Sequence, residues 1–391
     1  MVTVLHVIAS ASLDWGGPSR VIREMTAALA DRGHRVLVLS ADGPEDQRRE
    51  GSQPPFDPRV EHRLHRFDIN RAPWPSSGLM VDLVRHLRGP DRVDVAHVHG
   101  LFNLPCTAAM LALRAARVPY VLRPCGMLDR FSLSQKARRK TPWWRFFDGP
   151  SASRAGAIQC STRHEVEAVE LALTEHRLSG RVVECPQGVA ALPAPSPTPP
   201  RATPYLLFLG RVAEKKGLIP LVRALAADPA LPDLVIVGPD ERGHRAEVER
   251  EVVRLGVLHR VQWVGPIYSA HEKSSWYAHA AAFCLPSADE NFGLTVVEAA
   301  RLGTPLLVSP EVGLADQVRR FAAGLVAEAR PEPIAAALKT LVAHRESFRA
   351  GARALGASFD WPERAAAVES LYLDSMAGTD RKAGLRASRG R

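Results

Sequence analysis

The chain has 391 residues, of which 46% are hydrophobic and 24% charged, and its formal net charge is +9 at pH 7. This length exceeds one ordinary domain and predicts two domains of roughly 180 residues each. It has no apolar run long enough to span a bilayer and no signal-peptide pattern, so we expect a cytoplasmic protein. The five cysteines show neither metal-ligand nor redox spacing. The basic charge is spread along the chain without a nucleic-acid-binding motif, so we expect phosphate-bearing partners and no nucleic acid.

The first half alternates short apolar strands with helical segments, which predicts a parallel sheet with helices on both faces. A helix with Val21, Ile22, Met25 and Leu29 on one face follows the first strand and ends at Gly33. Residues 43–78 are polar and rich in proline and glycine, so we expect them to be mostly loop. Strands are predicted at 2–8, 35–40, 93–99, 119–123, 157–160 and 181–185.

A second alternating series follows a proline-rich stretch. Its strands are predicted at 205–209, 233–237, 261–264, 282–285, 305–308 and 324–327. We therefore expect a first domain at 1–190, a semi-rigid linker at 191–203 and a second domain at 204–360. A last helix is predicted at 361–378, and residues 379–391 are expected to form a basic, flexible tail.

The segment 290–298 lies between the predicted strand 282–285 and an apolar helix. Glu290 stands in the loop and Glu298 on the helix, at the end of the strand where open α/β sheets bind ligands. The backbone N–H groups of Phe292, Gly293 and Leu294 suit an anionic group. Two carboxylates with free amides between them suit a ligand that combines sugar hydroxyls with phosphates. The alternative is a pair of surface glutamates at a helix start.

This segment resembles the E-x7-E signature of retaining glycosyltransferases with the two-domain GT-B fold, the large family that includes sucrose synthases. The resemblance implies an α/β protein with two Rossmann-like, doubly wound parallel-sheet domains facing a central cleft, and a terminal helix that packs back on the first domain. It also implies that Glu290 contacts the donor sugar and Glu298 the nucleotide ribose. The implied donor-binding residues are Gly16, Gly17, Arg211, Lys216, Asn291, Phe292, Gly293, Leu294 and Glu298.

Two junctions between a strand and a helix carry further parts of this pattern. Gly16 and Gly17 follow the first strand, where glycines let the backbone approach a ligand closely. Arg211 and Lys216 follow the first strand of the second half, and they offer a planar fork and a point charge for phosphate oxygens. The stretch 210–217 resembles the family's G-R-x(4)-K-G element, which neutralises the leaving nucleoside diphosphate. With Glu290, Arg211 and Lys216 are the candidate catalytic residues, and a solvated basic loop is the alternative.

Two other strand ends in the first half carry candidate acceptor or sugar contacts. His97 and His99 face the same side of their strand, but no third metal ligand is apparent, so we predict no metal site. The resemblance implies a sugar contact for His99, whereas His97 is expected to be a structural hydrogen-bonding residue. Many relatives carry a histidine where Cys125 stands, so we expect Arg123 or backbone amides to supply that contact instead.

A basic segment at 130–145 overlaps a group of aromatic residues at 143–147. Such a segment suits an anionic membrane or a lipid diphosphate acceptor. The alternative is a helix whose aromatic residues pack on the domain while its basic residues face water.

The sequence as a whole predicts a retaining, metal-independent glycosyltransferase without a cofactor. It contains no Asp-X-Asp motif of the kind that holds a metal ion on the diphosphate in other transferases. The expected partners are a UDP- or GDP-type nucleotide-diphosphate sugar, a glycan or lipid-linked acceptor of bacterial polysaccharide or glycolipid synthesis, and the inner face of the plasma membrane. The alternatives are a sugar-nucleotide epimerase, a phosphorylase and a non-catalytic sugar-binding protein.

Overall fold

A computed structural model describes the backbone of residues 1–42, 55–67 and 76–389, with side chains described as far as residue 378 apart from that of Asp14. The chain divides into two compact units. The first unit comprises Met1–Gly188 with Trp361–Arg391, and the second comprises Val189–Asp360.

The first unit contains, among its described residues, a sheet of seven parallel strands in the order β3-β2-β1-β4-β5-β6-β7. The strands are β1 Thr3–Ile8, β2 Arg35–Asp42, β3 Val60–Arg66, β4 Val95–His99, β5 Tyr120–Arg123, β6 Ala157–Cys160 and β7 Val182–Glu184. The central strands are buried on both faces, as is typical of parallel sheets.

Helices flank this sheet. They are α1 Gly17–Asp31, α2 Ser77–Arg88, α3 Leu104–Ala116, α4 Arg130–Ser134, α5 Ala137–Trp143, α6 Gly149–Ala152 and α7 Arg163–Glu175, with a π-helical turn at Trp144–Asp148. The side chains of Ser76, Asn103 and Thr162 cap the N-termini of α2, α3 and α7, because each accepts a backbone N–H of the first turn.

The second unit contains a sheet of six parallel strands in the order β10-β9-β8-β11-β12-β13. The strands are β8 Tyr205–Leu209, β9 Asp233–Val237, β10 Val261–Gly265, β11 Ala282–Leu285, β12 Leu306–Val308 and β13 Gly324–Val326. Its helices are α8 Leu218–Ala227, α9 His244–Arg254, α10 Ala270–His279, α11 Leu294–Arg301, α12 Ala315–Arg320, α13 Pro331–Ala343 and α14 Arg345–Ala357. Two doubly wound parallel sheets, one in each unit, confirm the predicted fold class.

The last helix, α15, spans Trp361–Arg389 and belongs to the first unit. Its Tyr372 hydroxyl lies 2.8 Å from Nδ1 of His97 on β4, and its Trp361 Nε1 donates to Glu24 on α1. The helix continues past the predicted end at residue 378, through a stretch in which arginine, lysine, alanine and leucine favour a helix. The residues expected to form a flexible tail are therefore helical to Arg389, and residues 390–391 lie outside the described part of the chain.

Strand β3 is an element that the sequence did not predict within residues 43–78, which we expected to be mostly loop. It pairs with β2 from Val60 to Arg66, and helix α2 begins at Ser77. The sequence of β3 contains few apolar residues because an edge strand is half exposed and is held mainly by its backbone pairing. Residues 43–54 and 68–75 lie outside the described residues, and among the described helices none is long and apolar enough to cross a bilayer.

The strand order places one switch point in each unit. The chain order reverses between β1 and β4 in the first sheet and between β8 and β11 in the second. Ligands of open α/β sheets bind at the carboxyl edge beside such a point. The candidate residues of each unit are therefore those that follow its two strands at the switch point.

Candidate functional site

The switch point of the second unit brings Lys216 and Glu290 together. Lys216 ends a short 3₁₀ turn after β8, and Glu290 lies in the loop after β11. Their side chains form an ion pair in which both groups are largely buried, with 12% of Lys216 and 19% of Glu290 exposed. Burial acts to raise the pKa of Glu290, but Lys216, with Lys215 and Arg211 farther off, holds that pKa below its ordinary value. Glu290 is therefore an ionised carboxylate fixed against an ammonium group.

A second pair lies beside the first one. Lys215 Nζ is 2.8 Å from Oδ2 of Asp289, and the backbone carbonyl of Lys215 accepts the N–H of Ala288 at 2.8 Å. The two loops are thus joined by side-chain and backbone contacts. Sequence reasoning missed Asp289, although its position next to Glu290 was the available signal.

Gly217 allows these loops to approach so closely. Its φ of +71° lies in the left-handed region, and a Cβ atom there would stand 1.9 Å from the carbonyl oxygen of Pro286. Glu290 is held on its other side, because its backbone N–H donates to Glu311 and its carbonyl accepts from Gly313. The Lys216–Glu290 pair is consequently preorganised by the backbone.

Arg211 stands apart from this pair. Its side chain is about half exposed, and its Nη1 lies 2.9 Å from Oε2 of Glu241. An exposed ion pair of this kind is weak, so the guanidinium is free to exchange Glu241 for a phosphate.

The remaining residues of the 290–298 segment surround the start of α11. Phe292 is buried with its ring edge against Phe359, and Gly293 caps the helix with φ +86°. Asn291 precedes them in the loop and Leu294 is the first helical residue, both half buried. The segment therefore presents a helix N-terminus immediately after Glu290.

Glu298 is fully buried one helical turn farther on. Its Oε1 lies 2.8 Å from Nζ of Lys273 and its Oε2 accepts the hydroxyl of Tyr277 at 2.8 Å. Both partners come from α10, and the sequence offered no signal for either. The predicted ribose contact of Glu298 therefore stays a prediction.

In the first unit, Gly16 and Gly17 follow β1 at the switch point. Gly16 has φ +86° and caps α1, whose first residue is Gly17. The neighbouring Trp15 is about half exposed. This junction has the geometry predicted for a glycine loop beside a helix N-terminus.

His99 lies on β4, on the other side of that switch point, in a cluster with two other buried histidines. Nδ1 of His6 on β1 lies 2.9 Å from Nε2 of His99, and the rings of His97 and His99 stack at 4.1 Å. His6 is a third potential ligand, which corrects the expectation that none accompanies His97 and His99; only the β1–β4 register aligns it with His97. One nitrogen from each of the three rings lies within 4.8 Å of the others, so the cluster could hold a metal ion, although the contact between His6 and His99 already uses one nitrogen of each of these two rings.

Burial dominates the electrostatics of this cluster. It lowers the pKa of His6 to about 3 and the pKa values of His97 and His99 well below the ordinary histidine value. The rings are therefore neutral at physiological pH.

Arg123 and Cys125 lie at the end of β5, next to β4. Arg123 is 3% exposed, and its Nη2 donates to Oε1 of Gln187 at 3.0 Å. Cys125 has a left-handed backbone with φ +58°, and burial raises the pKa of its thiol to about 11. A thiol that stays protonated at neutral pH is a weak donor, so Arg123 is the stronger hydrogen-bond donor of the two at this strand end.

Comparisons with known proteins cover both units. The family description "Glycosyl transferase 4-like domain" matches residues 16–173, and "Glycosyl transferases group 1" matches residues 195–354. The chain is 29% identical to a D-inositol 3-phosphate glycosyltransferase of Xylanimonas cellulosilytica, over 93% of this chain and 92% of the relative. It is 31% identical to the protein of the same name from Geodermatophilus obscurus, over 46% of this chain and only 42% of that relative.

Solved structures with low identity share the fold. Sucrose-phosphate synthase from Thermosynechococcus elongatus superposes with a TM-score of 0.74 at 19% identity, over 96% of this chain and 100% of the other. Anabaena HepE, solved in complex with UDP-glucose, superposes with a TM-score of 0.69 at 18% identity, over 95% of this chain and 99% of the other.

Proposed function

The chain belongs to the group 1 glycosyl transferases, and from this premise we propose that it transfers a sugar from a nucleotide-diphosphate sugar to an acceptor hydroxyl. The observation that carries the proposal is the buried Lys216–Glu290 pair at the switch point of the second unit. It holds a cation for the diphosphate beside a carboxylate for the sugar hydroxyls. The complex of Anabaena HepE with UDP-glucose supports a UDP-type donor over a GDP-type one.

We propose that the reaction retains the anomeric configuration. The bond between the anomeric carbon and the β-phosphate oxygen breaks, and the acceptor oxygen bonds to the same face of that carbon. The acceptor proton passes to the departing phosphate. Lys216 and Arg211 stabilise the charge that grows on this phosphate, while Glu290 holds the sugar and the loop after Phe292 offers backbone N–H groups.

The acceptor in this proposal is a phosphorylated polyol. The curated relatives are named for D-inositol 3-phosphate, which supports this class over the glycan or lipid-linked acceptor that the sequence suggested. We also propose that the enzyme contacts an anionic membrane, which would place a cytoplasmic enzyme on the inner face of the plasma membrane whichever acceptor it uses.

The test is the acceptor-dependent release of UDP from UDP-sugars, which separates a transferase from an epimerase and from a sugar-binding protein. We expect Lys216→Met to lower kcat/KM by roughly 10²-fold or more, the scale of losing one preorganised charge. Arg211→Ala should act in the same direction. Lys339→Met is the matched control, because Lys339 is exposed on α13 in the same unit.

Near wild-type turnover by the Lys216→Met protein would refute the assigned site. An equal loss of kcat/KM in the Lys339→Met protein would show that removing a positive charge anywhere in this unit lowers activity.

A further inference from the structure

Arg123 is a buried cation without a counterion among the described residues. Its guanidinium makes one hydrogen bond, from Nη2 to the neutral side chain of Gln187. The Nε and Nη1 groups are also shielded from solvent and meet no acceptor within the described part of the protein. Its side chain forms no ion pair with any described carboxylate. A buried charge is costly unless it is paired, so this arrangement points to an anion supplied from outside the chain.

The neighbours of Arg123 on the adjacent strands, His99 and Gln159, do not neutralise its positive charge. The strand register puts His99 of β4 beside Arg123, and Gln159 of β6 continues the same row on the other side. Nδ1 of His99 and Oε1 of Gln159 likewise lack partners among the described residues. His99 is neutral and adds no charge. In the tautomer in which Nδ1 of His6 donates to Nε2 of His99, the proton of His99 is on its Nδ1, which can then donate a hydrogen bond.

The position of Arg123 in the sheet agrees with a ligand contact. It is the last residue of β5, at the carboxyl edge, one strand from the switch point between β1 and β4. The N–H of Gly126, in the following loop, donates to Oε1 of Glu165 at 2.6 Å and so fixes the loop. Arg123 is therefore held on a rigid strand end rather than on a free loop.

We propose that Arg123 binds an oxyanion, phosphate or carboxylate, carried by the acceptor, with the Nδ1–H of His99 as a second donor. This inference rests on the proposed function, and it adds that the first unit selects negatively charged acceptors. Guanidinium N–H groups match the oxygens of such anions better than an ammonium group does.

The experiment measures thermal stability and calorimetric binding with four probes: inorganic phosphate, inositol 1-phosphate, unphosphorylated inositol and UDP. For the wild-type protein we expect Tm to rise with phosphate and inositol 1-phosphate but not with inositol, since a ligand of the native state stabilises it. The effects of phosphate and UDP should add, because the anion site differs from the donor site. The loss of the phosphate effect in the presence of UDP would assign the anion to the donor diphosphate and overturn the proposal.

Arg123→Met removes the charge and keeps the length of the side chain. We expect the ligand-free variant to have a Tm at or above that of the ligand-free wild type. Phosphate should no longer raise its Tm, whereas UDP should raise it as much as in the wild type. Arg163→Met is the control, because Arg163 is two-thirds exposed on α7 of the same unit and pairs with Glu167. A Tm well below wild type together with an unchanged phosphate effect would show a structural role and refute the proposal.

Arg123→Lys keeps the positive charge but replaces the planar guanidinium by an ammonium group. This variant tests the proposal if the Arg123→Met protein does not fold. We expect its phosphate affinity to fall about tenfold or more. Wild-type affinity in this variant, or no phosphate effect in the wild-type protein, would refute the proposal. None of these measurements depends on turnover, so they fail or succeed separately from the proposed activity.

Discussion

At the scale of single residues, His6 makes the first unit sensitive to acid. Its ring is fully buried against His97, His99 and Tyr372, with Arg123 near the same cluster, and its pKa is lowered from 6.5 to about 3. Between these two values the unfolded state binds a proton that the folded state does not bind. Stability contributed by the neutral ring is therefore complete above pH 6.5 and is lost as the pH falls toward 3.

We expect His6 alone to lower the free energy of unfolding by about 2 kcal/mol between pH 7.5 and pH 5. Urea denaturation of wild type and His6→Asn at both pH values measures this effect, because the asparagine variant should lose less stability on acidification. His259→Asn is the control, since His259 is exposed in the second unit. Identical pH dependence in wild type and His6→Asn would contradict the assignment.

At the scale of elements, the segment from α4 through the π-helical turn separates its aromatic residues into two sets. Trp144 is buried, and Trp143 Nε1 donates to Thr107 at 3.0 Å, so the tryptophans pack on the domain. Phe146 and Phe147 are 67% and 46% exposed instead. The exposed basic residues of the same segment are Arg130, Lys136, Arg138, Arg139 and Arg145. Exposed phenylalanines among basic residues match an anionic lipid surface in both polarity and charge.

We expect the protein to sediment with vesicles that contain phosphatidylglycerol and not with neutral phosphatidylcholine vesicles. The double variant Phe146→Ser/Phe147→Ser should bind these vesicles several-fold more weakly, because it loses the apolar side chains that would be buried in the lipid surface. Val81→Ser/Val84→Ser is a matched control, since these valines are 63% and 43% exposed on α2. Unchanged binding by the phenylalanine variant would exclude this segment as the contact.

At the scale of the whole molecule, the proposed chemistry places cationic side chains where other transferases use a metal ion. Arg211 and Lys216 lie at the switch point of the second unit, and the sequence contains no Asp-X-Asp motif. We expect activity in excess EDTA to stay within about twofold of the untreated enzyme, because fixed protein charges stabilise the leaving phosphate. Loss of activity that magnesium or manganese restores would contradict metal independence.

The sequence by itself determined most strands and the helix after the first strand. It also located the two strand-to-helix junctions at Gly16–Gly17 and at 210–217. These features depend on local patterns, since apolar runs and glycine positions act over a few residues. The Lys216–Glu290 pair could be expected as a meeting of two loops, because both follow strands of the same parallel sheet. The edge strand β3 escaped prediction, because its backbone pairing leaves little apolar signal in the sequence.

Only the tertiary structure decided which distant side chains meet. His6 joins His97 and His99 through strand register, and Glu298 receives Lys273 and Tyr277 from a neighbouring helix. Gln187 is the one described hydrogen-bond partner of the Arg123 guanidinium. These contacts join residues up to about ninety positions apart, and no local periodicity encodes them. They follow from the order and register of the strands, which the packing of the whole sheet determines.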